Sequence, residues 1–153
     1  MALIADSIYV QSVLTAKNIR AGNASTMRIN MGDFSRVAFH VLVGDCAGVA
    51  GTYSNWNGAD GIETLKLEQH TAATGGSTKD IADFELNKTT ADTGGNSYIL
   101  ECRSEDVDTE GGYCYVGLYA ATTDNTGVDN ITVTAIGLPR YASENVSGAT
   151  DAI

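Results

Sequence analysis

The chain is 153 residues long with 43% apolar and 18% charged residues, and its 19 acids against 9 bases leave a net charge of −10. A chain of this length buries about two-thirds of its unfolded surface in a single core, and its apolar content argues against global disorder. Its charge argues against nucleic-acid backbones and anionic membrane surfaces as partners, and no apolar run reaches the ~20 residues of a membrane-spanning helix.

In chain order, residues 1–25 read as an N-terminal arm and first strand, with period-two alternation from Ser7 to Leu14. The opening Met1-Ala2-Leu3-Ile4-Ala5-Asp6 has no basic stretch and does not read as a secretory signal. A core of residues 26–141 follows, starting with a short strand from Thr26 to Met31. In Arg36–Val43, Val37, Phe39, Val41 and Val43 alternate with Ala38, His40 and Leu42, the pattern of a central strand covered on both sides. The Gly-rich stretch from Asp45 to Gly61 is a long loop carrying Tyr53 and Trp56.

Glu63–His70 sends Leu65 and Leu67 inward and Thr64, Lys66, Glu68 and His70 to water, and a shorter strand is expected at Asp83–Leu86. Tyr98–Arg103 alternates next, then an acidic turn ending in Gly111-Gly112. Tyr113–Tyr119 puts Cys114, Val116 and Leu118 opposite Tyr113, Tyr115 and Tyr119, and Asn130–Ile136 sets Ile131, Val133 and Ala135 against Thr132 and Thr134. Residues 142–153 form a small polar tail. About eight short antiparallel strands, with turns made by Gly, Asn and Asp, describe an all-β domain, a β-sandwich or jelly roll.

Groups able to do chemistry are few. The odd set Cys46, Cys102 and Cys114 cannot close a complete disulfide framework, which fits a reducing compartment. Cys102 and Cys114, on candidate neighbouring strands, either face each other or pack as buried thiols. His40 and His70, the only histidines, are better read as structural than as metal ligands or members of a triad. The run Glu105–Gly112 places Asp106, Asp108 and Glu110 at the alternate spacing of a Ca²⁺ loop, yet the position that needs a closing Glu is Gly117; a solvated turn is the preferred reading, and no metal or other cofactor is expected. Gly44–Gly51 lacks the Lys-Ser/Thr ending of a phosphate loop. Asn-x-Ser/Thr triplets at Asn23, Asn87, Asn130 and Asn145 carry little weight without a leader. No carboxylate pair stands out for glycoside hydrolysis, and the chain is not expected to be an enzyme. Tyr53, Trp56, Tyr113, Tyr115 and Tyr119 fit an interface equally as well as a second core layer.

Two regions carry a family resemblance. Met27–Phe39, with its Asn-Met link, aromatic, Arg and apolar strand, resembles the opening of small proteins encoded near the major capsid gene in tailed bacteriophages. Glu105–Val116, followed by Ile136-Gly137-Leu138-Pro139-Arg140-Tyr141, resembles the acidic Gly-Gly turn, aromatic strand and terminal Pro-Arg-Tyr of the same group. The resemblance implies a β-sandwich head component with a decoration, or cement, role: a non-enzymatic protein made in the host cytoplasm and bound to the capsid exterior. Its expected partners are the major capsid protein and further copies of itself, as a dimer or trimer. An arm from Ala2 to Leu14, bearing Leu3, Ile4, Ile8 and Tyr9, is the expected strand donor to a neighbour's edge, and the loop around Trp56 is the second expected contact. The alternatives are a carbohydrate-binding β-sandwich using Trp56 and the tyrosines and, more remotely, a glycan hydrolase.

Overall fold

The computed structural model describes residues 8–18, 23–47, 64–86, 97–121 and 128–140. The alternating rows fold as β1 (Tyr9–Asn18), β2 (Asn23–Ser25), β3 (Ile29–Asn30), β4 (Phe34–Ala47), β5 (Thr64–His70), β6 (Thr78–Leu86), β7 (Ser97–Arg103), β8 (Tyr115–Ala121) and β9 (Val128–Pro139), with one 3-10 turn at Ser104–Asp106. They form two antiparallel sheets, ordered β1-β9-β4-β7 and β2-β8-β5-β6, and β3 also pairs with β8.

β2 and β3 are two pieces of one interrupted strand. Between them the backbone leaves the second sheet, and Met27 N–H donates to Val13 O of β1 at 3.1 Å. Thr26 repairs the break, because its N–H donates to Leu118 O and its hydroxyl accepts from Leu118 N–H, both at 2.9 Å. With β2 and β3 counted as one strand, the sheets read 1-8-3-6 and 2-7-4-5, the order of a jelly roll.

The core lies between the sheets. β4 and β9 contribute Val37, Phe39, Val41, Ile131, Val133 and Ala135, while β5 and β8 contribute Leu65, Leu67, Val116, Leu118 and Ala120, all buried. Each large side chain removed from water here stabilises the fold by about 1.5–3 kcal/mol before entropy is counted. The inward and outward rows of these four strands match the alternation read from the sequence.

Several expectations need correction. β4 is covered on one side only: its inner row is buried, but Leu42 on the outer row is 46% exposed. His70, expected in water, is 3% exposed. Its Nε2 and the Cγ of Arg28 both border Gly117, 3.4 and 3.6 Å from where a Cβ on that glycine would lie. The guanidinium then donates to Ala72 O at 2.8 Å and to Gly75 O, fastening the turn that follows β5. Cys102 and Cys114 are both free and not on neighbouring strands, since Cys102 lies in β7 of the first sheet and Cys114 just precedes β8 of the second. β6 begins at Thr78, ahead of the expected Asp83. Tyr9–Asn18 is not a free arm but an edge strand paired with β9.

Candidate interaction surface

The outward face of the first sheet is built from cross-strand rows fixed by register. Val10, Ile136, Ala38 and Glu101 form one row; Ser12, Thr134, His40 and Ile99 form the next. Thr132, Leu42 and Ser97 lie beyond them at one end, and Leu138, Arg36 and Arg103 at the other. Side chains on one face of neighbouring strands touch, so these rows make a continuous patch. Its aliphatic members stay open to solvent: Val10 is 63% exposed, Ile99 67% and Leu138 48%, with Ile8, Leu42 and Ile136 also exposed.

Charge is nearly balanced across the patch. Glu101 is the single acid on these rows, and its Oε1 lies 3.3 Å from Arg36 Nε. Arg103 is paired off the patch with Glu105, also at 3.3 Å. A protein of net charge −10 thus presents one sheet face that is close to neutral, on which Val10, Leu42, Ile99, Ile136 and Leu138 stand exposed among Ser, Thr and one ion pair. The edges are less inviting than the face. β1 carries register irregularities between Ser12 and Leu14 and between Leu14 and Lys17, which hinder strand addition. At the end of β7, Arg103 N–H is already held by Asp106 Oδ2 at 2.7 Å.

The residues singled out from the sequence are scattered. Ile8 lies at the margin of this face, but Tyr9 turns to the core, its ring centroid 5.1 Å from that of Phe34. Leu3, Ile4, Tyr53 and Trp56 lie outside the described residues. The three tyrosines do not share one face: Tyr115 and Tyr119 are on the outer side of β8, half-buried, whereas Tyr113 packs against the core cluster. Lys66 Nζ sits 4.9 Å from the Tyr119 ring centroid and Lys79 Nζ 5.8 Å from that of Tyr113, so both rings already carry a cation. Val10, Leu42, Ile99, Ile136 and Leu138 are the surface residues that sequence reasoning passed over. Their signal was present as apolar residues at outward positions, and only the register joins them.

The acidic turn is tied to its own backbone. Asp106 accepts from Arg103 N–H, while Asp108 accepts from Gly111 N–H at 2.9 Å and pairs with Lys79 Nζ at 2.9 Å. Lys79 and the Gly111 amide hold the Asp108 carboxyl below its usual pKa, and Glu110 is exposed. Among the described residues no cluster of three metal-ligating side chains occurs, and no helix is long and apolar enough to cross a membrane.

The segments that carry the resemblance meet at one end of the sandwich. Met31 N–H donates to Cys114 O at 2.8 Å, Arg140 N–H to Asp33 O at 3.0 Å, and Arg140 Nε to Phe34 O at 3.0 Å. Asn30 shapes the bend between β3 and β4, accepting from Gly32 N–H at 3.0 Å and donating to Asp33 Oδ2 at 3.2 Å. No protein-family model and no curated protein matches the chain.

Proposed function

We propose that this chain is a non-enzymatic virion protein that decorates the outside of a tailed-phage head and bridges major capsid subunits. The observation that carries the reading is the near-neutral outward face of the first sheet, with its exposed Val10, Leu42, Ile99, Ile136 and Leu138. Several exposed aliphatic side chains on one face of an otherwise acidic protein mark a protein contact, and depletion of charge is the compositional sign of an interface centre. The capsid as partner comes from the family resemblance alone. The acidic remainder suits a protein that must stay soluble at high concentration. A sugar platform has less geometry behind it, since Lys66 and Lys79 already engage the rings of Tyr119 and Tyr113.

Cryo-electron microscopy of the parent particle tests the proposal. Jelly-roll density repeated at equivalent outer positions of the head supports it; a head surface formed by the major capsid protein alone refutes it.

A further inference from the structure

We infer that the outward face of the β1-β9-β4-β7 sheet packs against the same face of a second copy of this chain, giving a two-fold dimer. The inference rests on the reading of this face as a protein contact and makes that contact the one between copies; a dimer so paired meets a capsid through its remaining surface.

Electrostatics limits where two copies can meet. Chains of charge −10 repel each other at long range, and close approach requires a surface free of uncompensated acid. This face meets that need, because Glu101 is neutralised by Arg36. Shape favours the same pairing. Aligned sheets pack face to face at about −30° only when their twists match, and two copies of one sheet match by construction. The contact is also stiff: Val10, Ile99, Thr132, Thr134 and Ile136 are β-branched, with χ1 largely fixed, so ordering them costs little on association.

The area stands at the lower limit for a specific contact and suits a reversible dimer. Four strands about 4.8 Å apart and four outward rows about 6.8 Å apart give a patch of about 500 Å² per copy. Two copies therefore bury about 1,000 Å², the size at which a specific interface begins. A two-fold contact uses the same patch on both partners and closes on itself, so it produces a discrete dimer rather than a fibre.

Sedimentation velocity of the full chain over a concentration series tests this, alongside the single variants Val10→Glu and Ile99→Glu. Both positions are solvent-exposed, so the carboxylates disturb the face and not the core; unchanged far-ultraviolet circular dichroism verifies the fold. The expected result is a species of twice the 16.0 kDa chain mass, with self-association weakened about 30-fold or more in each variant. A chain that stays monomeric, or variants that dimerise as well as the parent, overturns the dimer. Adding purified heads separates the two readings: a monomer whose binding to heads is lost in Val10→Glu assigns the face to the capsid and refutes only the dimer. A monomer that binds neither itself nor heads refutes both.

Discussion

The Phe34 ring occupies the space that a side chain at position 137 would need. A Cβ built on Gly137 would lie 2.6 Å from Phe34 Cδ1 and Cε1. The glycine lets the ring lie against β9 beside Tyr9, where β1, β4 and β9 come together. Gly137→Ala is therefore expected to force the ring out of place at a cost of about 1–3 kcal/mol. Thermal unfolding should show Tm lower by several degrees with a native-like β spectrum, and an unchanged Tm would show that the ring moves freely.

His70 gives the fold a defined acid response. Burial, and secondarily the charge of Arg28, push its pKa down to about 4, below the ordinary value of about 6.5. Between those two values the unfolded chain binds a proton that the folded chain refuses. Stability therefore falls as pH drops through this window, by up to about 3 kcal/mol, and the His70 contribution levels off below it. Urea midpoints at pH 7 and pH 4.5 should differ less in His70→Gln than in the parent; equal differences would contradict the assignment.

Arg28 fastens the turn between β5 and β6 through the carbonyls of Ala72 and Gly75. A lysine offers a point charge where the planar guanidinium reaches two acceptors. Arg28→Lys is expected to speed amide hydrogen exchange in residues 71–77, while β4 and β9 keep their protection. Exchange unchanged in the turn would mean that its own bonds, including Ser77 N–H to Thr71 Oγ1 at 2.9 Å, suffice.

Cys102 should be inert in the folded protein. It is fully buried, and burial, aided by the nearby Asp106 charge, pushes its thiol pKa up to about 12, so almost no thiolate exists at neutral pH. Peptide mapping after brief iodoacetamide treatment should find Cys102 unmodified in native protein and modified in urea. Rapid native labelling would contradict its placement in the core.

The architecture was legible wherever a strand runs through the middle of a sheet. Leu65 and Leu67 alternate with Thr64, Lys66 and Glu68, and that period alone fixes the inward side of β5; in β4, where Leu42 follows Val41, it separates two rows without saying that only one is covered. Burial supplied from elsewhere in the chain was not legible. His70 sits on an outward position of β5 yet is buried, beside Arg28 of the link between β2 and β3 and with its Nδ1 2.9 Å from Thr78 Oγ1 of β6. Val107 lies in the acidic run yet is 5% exposed, pinning to the core a turn that composition alone describes as solvated. The candidate surface was half visible: Leu42 stood plainly opposite the buried row of β4. Its continuity with Val10, Ile99, Ile136 and Leu138 depends on the pairings of β4 with β7 and β9 and of β9 with β1, which no local pattern encodes.

Counting this chain against the major capsid protein in purified parent particles, by quantitative mass spectrometry, tests the decoration role most directly. Bridging at equivalent sites across a head requires copies in fixed proportion to the capsid subunits. Absence from the particles, or only a few copies in each, would contradict the role.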